Sequence, residues 1–416
     1  MAPGPSGTLF TSVPAPGGSV LVALLDATGR VAEGWPVKLA GATSCGKLLP
    51  VEDGSVRVLC TPADINQDLN QGIRGFALDS RGRAISGWPI DVYGYAVEGR
   101  MLGHEMTLFV SRSLTDLVEE GRPSHTVGLV EVRADGTVLE GVQVPMLEDW
   151  PGEQWAIGPD GIVYGSSIVS GLDEGSPEKS SLTAMDLSGI RSGWPVSFDG
   201  LASGPAFGPD GRIFMTLGSL VRPESRGLAV DPTTRSVSAS AALATATAEF
   251  GDTGGCSLGN PQAPLVAPDG TAFILDWADH QTFALGPSLE PVPGWLNVPW
   301  TPFMRRDTRY VREDAYCPSL TLPAVGPDST LYTSHEARDG SVGGGLWTVG
   351  SDGRARRGWP VELRRPGAEF WSVVAGSDRT VYALAVELES RDTSSATILA
   401  IAPDSTVLYT TTVIEP

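Results

Sequence analysis

The sequence lacks the features of a membrane-spanning or nucleic-acid-binding protein. It contains no apolar run of the roughly 18 residues that a helix needs to cross a bilayer. Lysine and arginine number 29 against 49 acidic residues, so the net charge is −20 at pH 7. So acidic a chain repels nucleic acid and anionic lipid. We therefore expect no nucleic-acid partner, no membrane insertion, and a neutral or cationic partner instead.

Helix patterning and a secretion signal are also missing. No long stretch repeats apolar residues at helical spacing between caps, and residues 1–4 have neither the charged start nor the apolar core of a signal peptide. Glycine (51) and proline (33) are abundant, whereas charged residues make up only 19% of the chain. This composition indicates a mostly β protein with many turns.

Signatures of an active site are few. The chain has four histidines. His104 lies in a tight turn, and His125, His280 and His335 lie in separate segments, so no pair has the spacing of metal ligands. There is no Gly-x-Ser-x-Gly motif either. We assign no catalytic residues, although a carboxylate pair assembled from distant segments would leave no spacing signal.

What the chain does contain is a repeated turn, Gly-Pro-Asp-Gly, followed by alternating apolar residues. Proline presets the first turn position and Asp-Gly accepts a positive φ, so each copy predicts a hairpin between two strands, A and B. An aromatic residue usually follows the Asp by four positions. The copies are 158–161 with Tyr164, 208–211 with Phe214, 267–270 with Phe273, 326–328 with Tyr332, 376–378 with Tyr382, and the weaker 4–7 with Phe10, 52–54 with Arg57, and 103–105 with Phe109.

A second motif alternates with the first. An apolar strand ends in Asp-x-x-Gly or a relic of it, and Gly-Trp-Pro follows after about five residues, which predicts a hairpin between strands C and D. Proline cannot donate to a ladder, so it suits the outermost strand D, where the tryptophan would pack on the next blade. The tryptophans are Trp35, Trp88, Trp194, Trp295 and Trp359, and three units near Asp135, Asp231 and Asp404 lack one.

This alternation predicts an all-β protein, a β-propeller of eight four-stranded blades, with seven blades as the alternative. No helical pattern intervenes between strands, which excludes an enzyme with a Rossmann half. The single domain covers residues 1–416, and the first blade has almost no strand A. The expected blades are 1–41, 42–91, 92–146, 147–198, 199–245, 246–298, 299–364 and 365–416.

Residues 76–82 followed by Trp88 resemble the Ala-x-Asp-x-x-x-Gly…Trp docking repeat of quinoprotein-like propellers. These are the eight-bladed folds of pyrroloquinoline-quinone dehydrogenases and of non-catalytic relatives such as the outer-membrane assembly lipoprotein. The resemblance covers the whole chain and implies the fold, but here the tryptophan lies further from the glycine. The chain also resembles FG-GAP integrin-like propellers, whose repeats tend to end in Gly-Trp-Pro, although most of their Asp-rich calcium loops are missing. Quinoprotein dehydrogenases are longer and many have adjacent cysteines, so we do not expect their activity.

The two sets of connections differ in the sequence. The A–B and C–D turns, on one face of a propeller, are short and regular, whereas the B–C and D–A connections on the other face are expected to be long and varied. We therefore place any binding site on the B–C/D–A face. The cysteines agree with this layout: we expect Cys45 to pair with Cys60 across one A–B strand pair, and Cys256 with Cys317. Four reduced thiols are the alternative.

The longest insertion, residues 298–319, combines arginines with aromatic residues. Arginine forks bind carboxylates, sulfates or phosphates, and aromatic rings stack on sugars or partner side chains. The alternative is that the arginines pair with acidic loops of the same chain. The candidate ligand-binding residues are Trp300, Arg305, Arg306, Arg309, Tyr310, Arg312 and Tyr316, together with Trp277 from a short B–C loop.

A second candidate site has oxygen ligands at every other residue: Asp64, Asn66, Asp68 and Asn70. This is the spacing with which a loop wraps Ca²⁺, although the Gly and the terminal Glu of an EF-hand are absent. The alternative is a loop rich in Asx turns. We assign no cofactor, and calcium is the one candidate.

These features predict a non-catalytic, extracytoplasmic binding or scaffold module that engages a protein or a glycan through its B–C/D–A face. The disulfides argue for an oxidising compartment, and the chain shows no export signal of its own. The alternative is a carbohydrate-active lyase or hydrolase that uses Arg305, Arg306 and Tyr310 with His280 or His335. The pattern does not predict an oligomeric state.

Overall fold

The computed structural model describes residues 1–15, 19–63, 72–114, 124–146, 154–170, 178–218, 224–245, 263–276, 281–293, 295, 298–299, 323–335, 344–363, 368–389 and 392–414. The chain forms two compact units, Met1–Gly165 with Leu182–Val196, and Ser166–Ser181 with Ser197–Pro416. In the part of the chain so described, no helix is long and apolar enough to cross a membrane.

Three sheets belong entirely to the first unit, and each is antiparallel. Sheet 1 contains β1 (Ala2–Pro3), β2 (Leu9–Ala15), β3 (Ser19–Leu25) and β4 (Val37–Ala40), with a 3-10 turn at Pro5–Gly7; sheet 2 contains β5 (Ala42–Pro50), β6 (Val56–Pro62), β7 (Gly72–Leu78) and β8 (Ile90–Tyr93); sheet 3 contains β9 (Tyr95–Leu102), β10 (Glu105–Leu114), β11 (Ser124–Val132) and an outer strand in two pieces, β12 (Val138–Glu140) and β13 (Val144–Met146).

The fourth sheet contributes residues to both units, and four further sheets lie in the second unit. Sheet 4 contains β14 (Gln154–Ile157), β15 (Val163–Ser170), β16 (Lys179–Asp186), β17 (Gly189–Ile190) and β18 (Val196–Asp199); sheet 5 contains β19 (Leu201–Ala202), β20 (Ala206–Phe207), β21 (Ile213–Gly218), β22 (Glu224–Val230), β23 (Val237–Ala239) and β24 (Ala244–Thr245); sheet 6 contains β25 (Leu265–Val266), β26 (Ala272–Asp276), β27 (Gln281–Leu285) and β28 (Val298–Pro299); sheet 7 contains β29 (Ala324–Val325), β30 (Leu331–His335), β31 (Gly345–Val349) and β32 (Val361–Glu362); sheet 8 contains β33 (Ala368–Ala375), β34 (Val381–Glu389), β35 (Asp392–Ile401) and β36 (Val407–Ile414).

Each of the eight consecutive antiparallel sheets has four strand positions, because the outer strand is in two pieces in sheets 3, 4 and 5 and the first strand is in two pieces in sheet 5. Eight such sheets define an eight-bladed β-propeller, which confirms the predicted fold and the count of eight rather than seven. The strands follow the order A, B, C, D of the predicted hairpins, and the first blade has a strand A of only two residues, β1. Apolar clusters lie between neighbouring sheets: Phe10 and Trp35 of sheet 1, for example, share a cluster with Val56 and Val58 of sheet 2.

The Asp residue of the A–B hairpin and the aromatic residue four positions later stabilise the turn. The Asp160 side chain accepts a hydrogen bond from the Ile162 N–H at 3.1 Å, and the Tyr164 hydroxyl donates to the same carboxylate at 3.2 Å. The Tyr164 ring covers Gly158, where an added Cβ would lie 3.2 Å from the ring. The Asp160 carboxylate and the ring together leave little space at the first position of the motif, which therefore holds a small residue: glycine in most copies and Ala267 in sheet 6.

The C–D hairpins join each blade to the next through the predicted tryptophans. In four blades the indole Nε1 donates to the carbonyl of the second residue of the following C–D turn, which confirms that these tryptophans pack between blades. The bonds are Trp35 to Ser80 (3.3 Å), Trp88 to Ala134 (3.3 Å), Trp295 to Ser351 (2.9 Å) and Trp359 to Pro403 (3.1 Å).

Three of these rings, those of Trp35, Trp295 and Trp359, pack on the aromatic residue of their own A–B hairpin. The ring centroids of Phe10 and Trp35 lie 5.8 Å apart, and those of Tyr332 and Trp359 lie 5.7 Å apart, both edge to face. The Trp–Pro peptide bonds of Trp35, Trp88, Trp194 and Trp359 are cis. The two sequence motifs thus meet in one packing unit, which repeats along the chain.

Sheet 3 lacks the tryptophan, and two other residues make its hydrogen bond and its ring contact. The backbone N–H of Val142, at the tryptophan position, donates to the Leu187 carbonyl at 2.9 Å, which is again the second residue of the next C–D turn. The ring partner of Phe109 is Trp155, from the first strand of sheet 4, at a centroid distance of 4.4 Å. Gly165 makes room for this ring, since any Cβ there would overlap it.

The expectation that the D–A connections are long is wrong for three of them. A single glycine joins β4 to β5 (Gly41), β8 to β9 (Gly94) and β18 to β19 (Gly200). These glycines have φ of +73°, +104° and +121°, in the region that only glycine adopts without strain. At each of these corners strand D leads directly into the next strand A. The D–A connections are therefore short at these three points of the B–C/D–A face.

Candidate functional site

Most of the predicted site residues lie outside the described part of the chain, and their assignments stay predictions. These are the insertion residues Trp300, Arg305, Arg306, Arg309, Tyr310, Arg312 and Tyr316, the B–C residue Trp277, the calcium candidates Asp64, Asn66, Asp68 and Asn70, the cysteines Cys256 and Cys317, and His280. The backbone of His335 ends β30.

The predicted disulfide between Cys45 and Cys60 is present. Cys45 in β5 lies directly opposite Cys60 in β6, and β5 is bulged on either side of this pair, at Thr43 and Gly46. Cys60 is buried. The disulfide therefore links strands A and B of sheet 2, as expected for this pair of cysteines.

A bulge also displaces one residue of β33, the strand A of sheet 8. Phe370 pairs with Ala385 and Ser372 with Leu384, so Trp371 has no opposite residue in the ladder. Its side chain is 45% exposed. Bulges often re-aim a side chain near a functional site, and an exposed indole offers a flat apolar surface with one donor.

A second exposed aromatic residue, Tyr93, stands at the D–A corner between sheets 2 and 3. It is 49% exposed, and the Arg112 guanidinium lies over its ring, 5.6 Å from the centroid. Arg112 also donates from Nε to the Tyr93 carbonyl at 3.0 Å, and it forms a two-bond pair with Glu140 at 2.9 and 3.2 Å. The ring is thus supported by a guanidinium that is itself held at three points, which reduces the entropy lost on binding.

The neighbouring D–A corner has a related arginine. Arg74 forms a two-bond pair with Asp91 at 2.7 and 3.2 Å and donates to the Gly41 carbonyl at 3.2 Å. The corner at Gly41 presents no aromatic ring. This arginine therefore stabilises the corner, and the exposed tyrosine distinguishes the corner at Gly94.

Charged residues also line the first strands of sheets 2 and 3. Lys47 pairs with Glu98 at 2.7 Å, and Arg100 donates to the Ile157 carbonyl at 2.8 Å. In a propeller the first strand of each blade is next to the central channel. These groups satisfy one another within the fold, so they hold strands together rather than present a reactive group.

The described residues contain no cluster of metal ligands. Within these ranges no three His, Cys, Asp or Glu side chains are grouped as metal ligands. His104 lies 3.6 Å from Asp53, between two exposed A–B turns. The hydrogen bond from Ser55 is the largest of the influences that hold the pKa of Asp53 below its ordinary value. A carboxylate that stays ionised in an exposed turn is better suited to stabilising the turn than to transferring protons.

One buried charge falls at the aromatic position of sheet 2. Arg57 is 2% exposed, donates to the Ser55 hydroxyl at 3.3 Å and lies 5.5 Å from the Trp88 ring centroid. Its Nε has no hydrogen-bond partner among the described residues. Burial lowers the pKa of this guanidinium. Because its side chain is almost completely buried, Arg57 takes the place of the aromatic ring in the packing rather than forming an exposed binding group.

Sequence reasoning missed Arg112 and Glu140, because nothing in their local pattern marks two strand residues as the support of Tyr93. It also missed the short corners, for which a signal exists. Gly-Trp-Pro is followed by four residues and a glycine at Gly41, Gly94 and Gly200. This spacing indicates a strand D of four residues followed by a turn at the glycine.

Comparisons with known proteins show the fold only. No protein-family model matches the sequence, and no curated protein matches it. Among solved structures, a eukaryotic initiation factor is similar at 9% identity and a TM-score of 0.50, over 97% of this chain and 95% of that one. A putative 6-phosphogluconolactonase from Bacteroides fragilis is similar at 10% identity and 0.45, over 98% and 93%. A streptogramin B lyase is similar at 10% identity and 0.41, over 90% and 94%.

The structural likeness agrees with the propeller class that the eight sheets define. The resemblance to quinoprotein-like propellers is supported as far as the eight-bladed fold, and the family itself is not shown. The similar structures are an initiation factor, a putative lactonase and a lyase, and their identity to this chain is too low to transfer any of these roles.

Proposed function

We propose that this chain is a non-catalytic, extracytoplasmic binding module that engages a protein or a glycan through its B–C/D–A face. The observation that carries the proposal is the position of its exposed aromatic rings. Tyr93 and Trp371 are the two aromatic side chains among the strongly exposed large apolar residues of the described ranges. Tyr93 lies at a D–A corner, and Trp371 lies on a bulge near the middle of strand A, in the half that begins at the D–A end.

Exposed rings of this kind are suited to recognition. A flat ring covers a sugar face or an apolar side chain at a small cost in conformational entropy, and tyrosine and tryptophan are enriched at the centres of interfaces. On the opposite face the tryptophans pack between blades and are at most 9% exposed. They are Trp35, Trp88, Trp295 and Trp359. The disulfide and the lack of a membrane-spanning helix among the described residues are compatible with an extracytoplasmic location.

A glycan array tests the proposal. The wild-type chain is expected to retain a defined set of oligosaccharides, and Trp371→Ala is expected to weaken that binding about tenfold, the effect of losing roughly 1.4 kcal/mol of stacking. Ile190→Ala is the matched control, because Ile190 is 49% exposed but follows a C–D turn. If the array shows no glycan, the same two variants are compared in capture of a protein ligand.

The proposal is contradicted if Trp371→Ala binds as tightly as the wild type, or if Ile190→Ala loses as much affinity. A product released from a retained oligosaccharide would contradict the non-catalytic part and favour the lyase or hydrolase alternative. Mass spectrometry of the eluted sugar distinguishes these outcomes.

A further inference from the structure

The C–D turn of sheet 7 has a glycine at a position where the C–D turn of sheet 2 has an aspartate. The two positions are equivalent, since the N–H of Asp79 donates to the Arg83 carbonyl at 2.8 Å and the N–H of Gly350 donates to the Arg354 carbonyl at 2.9 Å. In sheet 2 the Arg83 Nε also donates to the Asp79 carboxylate at 2.8 Å. Gly350 has no carboxylate, so Arg354 cannot form this pair.

An arginine side chain occupies the space that Gly350 leaves. A Cβ added at Gly350 would overlap the Arg356 guanidinium. Arg191 takes the same position in sheet 4, three residues before the tryptophan, and there it pairs with Asp186 at 3.6 Å. Sheet 7 thus keeps the arginine of this pair, while a glycine stands in the place of the aspartate.

The same turn presents its arginines to solvent. Arg354 and Arg357 are exposed, and Arg356 is partly exposed. The one acidic residue of the turn, Asp352, accepts a hydrogen bond from the Arg354 N–H at 3.2 Å. Three guanidinium groups against one carboxylate make this turn positively charged, in a chain whose net charge is −20.

Two further charged residues lie near Arg356. Burial and the Asp328 carboxylate raise the pKa of Tyr332 to about 12, whereas Arg356 and Arg379 oppose this rise. The three charged groups are therefore close to the Tyr332 hydroxyl. Two arginines against one carboxylate leave an excess of positive charge here as well.

We propose that the C–D turn of sheet 7 binds the carboxylate of an acidic side chain on a partner protein, in place of the aspartate that other turns of the chain supply. A guanidinium fork binds a carboxylate through two parallel hydrogen bonds. Small ligands usually occupy concave pockets, whereas an exposed hairpin turn is accessible to a side chain that projects from another surface. The acidic chain as a whole repels polyanions, so the site is suited to a single acidic residue rather than to nucleic acid.

A peptide titration followed by NMR tests the proposal. The probe is a blocked tripeptide with one glutamate between two glycines, and the same peptide with glutamine is the neutral control. The indole N–H signal of Trp359 reports on the turn, because the Trp359 backbone N–H donates to the Arg356 carbonyl at 3.3 Å. At constant ionic strength the glutamate peptide should shift this signal saturably, with a Kd of roughly 1–10 mM, and the glutamine peptide should not.

Two variants remove the site by copying other turns of the same chain. Gly350→Asp supplies the carboxylate, as in sheet 4, and Arg356→Val removes the guanidinium, as in sheet 6, where Gly286 and Val292 take the two positions. Each variant should weaken binding of the glutamate peptide at least about tenfold, since each removes the charge-assisted pair.

Gly286→Asp is the matched control. All three variants lower the net charge by the same amount, and a Cβ at Gly286 would lie 3.7 Å from the nearest atom, the Glu290 carbonyl oxygen. This variant should bind the glutamate peptide like the wild type.

The proposal is overturned if the glutamate peptide gives no saturable shift up to about 100 mM, or if the glutamine peptide gives an equal shift. It is also overturned if Gly350→Asp and Gly286→Asp bind the glutamate peptide equally. Tighter binding of free succinate than of the peptide would assign the site to a small organic acid and overturn the protein partner. None of these outcomes depends on the proposed function, because Tyr93 and Trp371 lie in other sheets.

Discussion

At the scale of single residues, the repeat couples positions that are six apart. A glycine opens most of the A–B turns that an aromatic ring follows, and an added Cβ would lie 3.0 Å from the ring at Gly4 and Gly326. In sheet 6 the small residue Ala267 takes this position before Phe273. In sheet 2 both members of the pair differ, because Val51 stands at the glycine position and Arg57 at the ring position. The buried Arg57 is then the residue that fits beside a valine.

This coupling predicts the outcome of a double-mutant cycle. Arg57→Tyr alone should lower the free energy of unfolding by about 1–3 kcal/mol, because the ring meets the Val51 side chain. Adding Val51→Gly should recover the loss, because the ring then covers the glycine and its hydroxyl can donate to Asp53, as Tyr164 does to Asp160. Urea unfolding of the two single variants and the double variant measures the coupling energy, expected at about 0.5–3 kcal/mol in favour of the pair. Simple additivity would contradict the account.

At the scale of elements, the hairpins could be predicted from the sequence, but some of the residues that pack against them could not. Asp-Gly and Gly-Trp-Pro act locally, so the turns and the docking tryptophans follow from them directly. Trp155 was not predictable in the same way, because its role depends on the tryptophan that sheet 3 lacks and on the space above Gly165. The support of Tyr93 by Arg112 likewise arises only when two sheets come together.

The disulfide of sheet 2 allows a prediction at this scale. Cys45 and Cys60 are 15 residues apart, and closing a loop of about that length restricts the unfolded chain by roughly 3 kcal/mol. The double variant Cys45→Ala/Cys60→Ala should therefore be less stable by about 2–3 kcal/mol in urea unfolding without reductant. Unfolding of both proteins in the presence of dithiothreitol provides the control. Any further loss of stability in the variant would show that Cys256 and Cys317 form a disulfide. Equal stability of the two untreated proteins would refute the prediction.

At the scale of the whole molecule, the repeated turns make the protein sensitive to acid. Several turn carboxylates have a pKa below the ordinary value of 3.8, chiefly because turn N–H and hydroxyl groups donate to them. They are Asp26, Asp53, Asp135, Asp186, Asp231 and Asp404. A pKa that is lower in the folded state adds stability above the unfolded value, and this stability is lost as the pH falls through the folded values.

The melting temperature should accordingly be nearly constant between about pH 7 and 5 and fall steeply below about pH 4. Calorimetry across this range at fixed ionic strength checks the expectation. An Asp135→Asn variant, which keeps a side-chain oxygen for the turn but has no charge to titrate, should show a smaller fall. A melting temperature that rose on acidification would mean that repulsion within the acidic chain outweighs the turn carboxylates.

In the proposed function, one face of the propeller is structural and the other face binds the ligand. Two residues of the same blade test it most directly: Trp88, which donates to the Ala134 carbonyl, and Tyr93 at the D–A corner. Trp88→Phe should lose about 0.5–1.5 kcal/mol of stability and keep its affinity for the retained ligand. Tyr93→Ala should melt within roughly 2 °C of the wild type and lose at least about fivefold in affinity. The reverse pattern, with affinity lost in Trp88→Phe and unchanged in Tyr93→Ala, would contradict the account.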